Sequence, residues 1–122
     1  MHVIFTVNGH VIRISRGDTG LLTLEASGNV VFTDEDRAVL TVRRRGGGAA
    51  LLRQTAVPDA QGSVQFAFTH EMTERLRPDA YEWDVRYVLG AQEAEGRVSG
   101  GREVITPMEP APFLVARTVG CL

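Results

Sequence analysis

His2, His10 and His70 are the side chains of this sequence best suited to hold a transition metal, and Cys121 is its one thiol. His10 stands beside a predicted turn at Asn8-Gly9 while His2 lies at the far end of the same predicted hairpin, roughly five residues of ~3.3 Å away. The two cannot share an ion within one chain, and His70 has no ligand near it in sequence. All three read as surface or turn residues, and neither metal nor cofactor is expected. Cys121, one residue from the C-terminus, permits neither an intrachain disulfide framework nor a cysteine zinc site. Asp34, Glu35 and Asp36 offer hard oxygen ligands but lack the alternating spacing and distal Glu that wrap calcium in an EF-hand, so a solvated turn is expected. Arg16-Gly17-Asp18 is a tripeptide that serves adhesion in other settings; its place between two predicted strands makes it a turn here.

Nucleophilic catalysis needs a Ser or Cys beside a positioned His and an acid. Ser15, Ser27, Ser63 and Ser99 fall in strand ends or turns, and none has a Gly-x-Ser-x-Gly setting. Glu82 and Asp84 share one face of a strand at about 7 Å, as carboxylates of many wet sheet faces do. Gly46-Gly47-Gly48 lacks the Lys-Ser/Thr of a phosphate loop and reads as a hairpin tip. Arg43, Arg44 and Arg45 beside it form the main basic cluster, suited to clamp an acidic neighbour or to keep an edge from aggregating. Tyr81, Trp83 and Tyr87 suggest a sugar-stacking platform, but they alternate with Val85 and Leu89 on one face, the pattern of a core strand. No enzyme is expected.

These residues sit on a chain of 122 residues with 43% hydrophobic and 23% charged composition, the make-up of an ordinary globular chain, and one domain over 1–122 is the expectation. The net charge is -2 and all 13 basic residues are Arg. Such a balance gives no global field for nucleic acid or anionic membrane. No apolar run approaches the ~20 residues of a membrane span, and Met1 begins no recognisable signal peptide.

The elements that must position these residues are strands. Runs at His2–Val7 and Val11–Ser15 flank Asn8-Gly9, a type I′ signal, and predict an opening hairpin. Leu22, Leu24 and Ala26 alternate with polar residues and predict a third strand, broken at Ser27-Gly28-Asn29. Arg37–Arg45 is a strand with Ala38, Leu40 and Val42 on its dry side, returning through Leu51–Thr55. Val64, Phe66 and Phe68 form another, and Glu71–Arg77 is one helical turn capped by Thr69 and stopped by Pro78. Tyr81–Leu89 is the central strand, followed by a loop at Gly90–Gly96. A strand over Arg97–Thr106, bulged at Gly100-Gly101, and a last one at Phe113–Val119 complete the chain. About eight to ten short strands without long helical periods predict an antiparallel β-sandwich.

The chain runs through Ile14-Ser15-Arg16-Gly17-Asp18-Thr19, then Asp36-Arg37-Ala38-Val39-Leu40-Thr41-Val42-Arg43, then Gly62-Ser63-Val64-Gln65-Phe66-Ala67-Phe68-Thr69, and Met72-Thr73 through Leu76, Pro78 and Ala80-Tyr81 to Trp83-Asp84-Val85. This order of signals carries a resemblance to the small immunoglobulin-like domains of tailed phages and prophages. It covers about residues 11 to 90 and is most similar to the N-terminal domain of baseplate upper proteins and related tail-fibre adaptors. The resemblance implies an immunoglobulin-like sandwich in which Tyr81 makes a tyrosine corner, its phenol bonded to nearby backbone. It implies a non-enzymatic virion component, at the tail baseplate, that binds itself or other phage structural proteins. A head decoration or head-fibre protein, and a module for a host surface glycan using Tyr81, Trp83 or Tyr87, are the alternatives. The candidate interaction residues are Arg43, Arg44 and Arg45 with the glycine loop, the Gly90–Gly96 loop, and Pro107, Pro110 and Pro112. Residues 107–122 form either an arm that crosses to a neighbour or the last strand. Asn8, Gly9, Tyr81 and Trp83 are the expected structural residues.

Overall fold

In a computed structural model, residues 5–7, 11–94 and 97–117 are described. They form an all-β arrangement with one short helix: β1 (Phe5–Val7), β2 (Ile12–Ser15), β3 (Gly20–Leu24), β4 (Ala26–Gly28), β5 (Arg37–Arg44), β6 (Ala50–Ala56), β7 (Val64–Phe68), α1 (His70–Glu74), β8 (Asp79–Ala94), β9 (Arg97–Ile105) and β10 (Ala111–Ala116). The large sheet runs β2-β10-β8-β5-β6, with β9 also on β8, while β3 pairs β7 and β1 pairs β4.

The central strand β8 owes its place to its period-two alternation. Tyr81, Trp83, Val85, Tyr87 and Leu89 are all buried, whereas Glu82, Asp84, Arg86 and Val88 stand on the other face. β5 answers it with buried Ala38, Leu40 and Val42, and β7 with Val64, Phe66 and Phe68. One core cluster unites these with Leu22, Leu24, Phe113 and Val115 from β3 and β10. Phe68 on the small sheet meets Phe113 on the large one edge to face, ring centroids 5.8 Å apart. Complete burial of an aliphatic or Phe side chain contributes about 1.5–3 kcal/mol, so this inter-sheet layer is what holds the two layers together.

Several sequence expectations need correction. The predicted opening hairpin is not made by β1 and β2: β1 pairs antiparallel with β4, and β2 pairs with β10. The β2–β10 ladder is parallel, with Phe113 opposite Ile12, so the sheets are not purely antiparallel. Asn8 and Gly9 lie outside the described residues, as do His2, His10 and Cys121. The predicted break at Ser27-Gly28 is strand β4, because β1 supplies it with a partner. The expected loop at Gly90–Gly96 is strand as far as Ala94, where Ala94 pairs Arg97; residues 95 and 96 lie outside the described set. The cause is a register shift between Leu89 and Ala91 that lets a glycine pass through a ladder. Gly101 serves the opposite strand there, with φ +85 and Val88 Cγ1 2.6 Å from where a Cβ would stand. The last strand begins at Ala111 rather than Phe113 and ends at Ala116.

Candidate functional site

Of the candidates the sequence offers, the Arg-Gly-Asp turn, His70, the buried acid of the acidic run and the two tyrosines are committed to holding the fold. The Arg16-Gly17-Asp18 turn docks on α1. Arg16 Nε donates to Glu74 O at 2.8 Å, Gly17 O lies 2.6 Å from His70 Nδ1, and Thr73 Oγ1 donates to Asp18 O at 2.7 Å. Gly17 is needed there, since φ is +87 and a Cβ would lie 2.7 Å from Glu74 Oε2. Both backbone carbonyls and the arginine thus seal a corner, and His70 belongs to that corner.

Helix α1 itself starts one residue before the sequence expectation and is fixed at its N-terminus. Thr69 Oγ1 accepts the Met72 N–H at 3.3 Å, and the Thr69 N–H reaches back to Met72 Sδ at 3.4 Å. Thr73 is its buried residue and Met72 is half-buried, while Leu76, just past its C-cap Arg75, is also buried. From its end the chain turns into β8, where Tyr81 donates its phenol to Arg77 O at 2.7 Å. This is the bond to nearby backbone expected of Tyr81.

The acidic turn differs from the solvated loop expected. Asp36 is fully buried: Oδ2 accepts the Thr33 N–H and Oδ1 the Gly90 N–H, each at 2.8 Å. Asp34 and Glu35 are exposed, and Glu35 O accepts the Ala91 N–H at 3.0 Å. The residue with the strongest buried polar role therefore hid inside a run of three acids. One signal was available: an Asp three residues after Thr33, immediately before the dry-faced strand β5, is placed to close a turn.

Trp83 is 1% exposed and Tyr87 0%. Tyr87 packs on Phe32 with centroids 5.3 Å apart and donates its hydroxyl to Gly62 O at 2.6 Å. Burial pushes this phenol above its ordinary range, and the Asp59 carboxylate adds to the push. Asp59 closes the loop below, with Oδ1 accepting the N–H groups of Gln61 at 2.9 Å and Ser63 at 3.0 Å. A stacking platform for sugar needs an open ring face, and these rings have none to offer.

The candidate interaction residues are the ones left on the surface. Arg43 pairs with Glu82, Nε to Oε1 2.8 Å, directly across the β5–β8 register. Pro112 on β10 is the register partner of Glu82 from the other side. The structure thus sets Pro112, Glu82 and Arg43 side by side on three adjacent strands, a juxtaposition that their separation in sequence conceals. Arg44 and Arg45 are exposed at the mouth of the glycine hairpin, where Gly46, Gly47 and Gly48 all have positive φ. Pro110 is exposed, Pro107 is half-buried, and Met108 between them packs on the core. Residues 111–116 are a strand of the same sheet, so of the two expected forms of the C-terminal segment the last strand is the one adopted there. Pro112 stands at the lip of that strand, because β2 pairs only from Phe113 onward, and such a position tolerates a missing N–H.

Among the described residues no three His, Cys, Asp or Glu side chains converge as a metal site, and no helix is long and apolar enough to cross a membrane. No protein-family model matches the chain, and no curated protein matches it.

Proposed function

We propose that this chain is an immunoglobulin-like structural and assembly domain of a phage or prophage particle, at the tail baseplate, working by binding copies of itself or a neighbouring tail protein. The observation that carries the reading is the Tyr81–Arg77 bond at the entrance to the long central strand. A tyrosine hydroxyl returned to backbone a few residues upstream is a recurrent device of immunoglobulin-like sandwiches. It falls within the segment whose residues resemble the phage domains. The strand order supports the same reading: β10-β8-β5-β6 follows the G-F-C-C′ order, opposite the separate pair β3–β7.

Function by binding also agrees with the fate of the polar candidates. His70, the buried acid and both tyrosine hydroxyls are spent on backbone partners, while arginines, prolines and a glycine loop remain outside. A small rigid domain of this kind gains its effect by repetition, since symmetric copies multiply weak contacts.

The test is peptide mass spectrometry of purified particles induced from a strain that carries the gene, with cross-linking to locate neighbours. The chain is expected in the particles at a fixed ratio to tail proteins and cross-linked to the baseplate. Accumulation in the cell with absence from the particles would overturn the reading.

A further inference from the structure

We infer that the outer face of the large sheet is a self-complementary interface for a second copy of this chain, with Asp84 of each copy set against Arg53 of the other. The inference rests on the self-binding reading above and gives it a surface. Its basis is the register of three strands. Asp84 on β8 is opposite Thr41 on β5, and Thr41 is opposite Arg53 on β6. Acid, neutral residue and base therefore stand in one row. Neighbouring strands lie ~4.8 Å apart, so the acid and the base are separated by about 10 Å within one copy. Neither makes an ion pair among the described residues.

The rows on either side complete the pattern. Arg86, Val39 and Thr55 form one; Glu82 and Arg43, already paired at 2.8 Å, form the other with Ala50. Val39, Thr41 and Thr55 are half-buried and uncharged, and Arg53 and Arg86 are exposed. Between Arg37 and Arg43 the face of β5 is thus neutral, Val39 and Thr41, with charges around that patch, the anatomy of a contact surface.

Consider a two-fold axis parallel to β5, lying between two such faces. A half-turn about it keeps every row at its height and exchanges β8 for β6. Asp84 then meets the partner's Arg53, and the same pair forms a second time by symmetry. Val39 and Thr41 meet their own counterparts. Arg43 meets itself only after Glu82 has neutralised it. Asp84 and Arg53 make no ion pair among the described residues, and the symmetry brings these opposite charges together while Arg86 meets the neutral Thr55 of the other copy, which is why a second copy is the occupant.

The experiment is sedimentation or light scattering of the full chain over a concentration series, for wild type, Asp84→Arg, Arg53→Asp and the double variant. Wild type is expected to dimerise with concentration. Each single reversal places two like-charge pairs in the interface and is expected to weaken dimerisation about 100-fold. The double variant restores opposite charges and is expected to return to within about tenfold of wild type. A strictly monomeric wild type, single variants that associate like wild type, or a double variant no better than the singles would each overturn the interface. Arg53 is exposed, so its reversal keeps the test valid if Asp84→Arg misfolds; thermal midpoints identify that case. A chain found in particles but indifferent to these charges overturns this interface alone. A chain that dimerises through them yet is missing from particles overturns the virion assignment alone.

Discussion

Asp36 holds Gly90 across 54 positions of sequence, its Oδ1 2.8 Å from the Gly90 amide, and so fastens the turn before β5 to the place where β8 changes register. The same carboxylate closes its own turn through Thr33 N–H. Replacing Asp36 by Ala leaves two backbone donors without their acceptor, each worth about 1–3 kcal/mol when buried. We expect Asp36→Ala to cost about 3 kcal/mol in urea denaturation and Asp36→Asn about half of that, because the amide keeps one acceptor. A loss below about 1 kcal/mol for the alanine variant would show that water replaces the carboxylate.

The Tyr81 corner is separable from the core that surrounds it. Tyr81→Phe keeps the buried ring and removes only the bond to Arg77 O. A loss of about 1 kcal/mol is expected, with no change in self-association. Equal stability of the two proteins would mean that the corner does not secure the α1–β8 junction.

The pattern of strands was largely legible because alternation survives wherever one face is buried. Val64, Phe66 and Phe68, or Tyr81 through Leu89, announce a strand without knowledge of its partner. Pairing was less legible. Asn8-Gly9 suggests a hairpin on local grounds, yet β1 goes to β4 and β2 to β10, a choice made by long-range packing that no turn residue encodes. Gly90 read as a loop because glycine ends strands more often than it crosses a bulge within one. On the candidate site, the sequence pointed to Arg43 and Pro112 separately. Only the register on Glu82 shows that they share a row. The roles of Asp36 and Asp59 escaped because they depend on which backbone amides converge on each carboxylate: for buried Asp36 one amide comes from Gly90, far along the chain, and for exposed Asp59 both come from an unremarkable turn.

The arginines at the end of β5 divide into one that is paired and two that are free to engage a partner surface. Arg43 is tied to Glu82 with its side chain 39% exposed, where an ion pair contributes at most about 1 kcal/mol. Arg44 and Arg45 are exposed beside the glycine loop. Joint replacement of Arg43, Arg44 and Arg45 by Ala is therefore expected to move the thermal midpoint by only a few degrees. Incorporation of the chain into particles should fall at least about tenfold if this strand end docks on a neighbour. Normal incorporation would remove the cluster from the binding surface.

Tyr87 gives the fold a specific alkaline weakness. Its phenol is raised above the ordinary value of about 10 by burial first and by Asp59 second, so the folded state keeps the proton that the unfolded chain releases. The stability tied to that proton is complete below pH ~10. Above it, the unfolded state binds fewer protons than the native one, and stability falls with a slope of up to about 1.4 kcal/mol per pH unit until the native phenol also ionises. The chain suits this measurement, because it has no lysine and only two tyrosines. We expect Tyr87→Phe to lose about 1 kcal/mol at pH 7 with the bond to Gly62 O, yet to decline less steeply between pH 10 and 12 than wild type. Denaturation midpoints at half-unit steps decide the matter. Parallel curves for the two proteins would mean that the Tyr87 hydroxyl reaches solvent before the fold opens, and that its bond to the Asp59 loop is not a constraint on the native state.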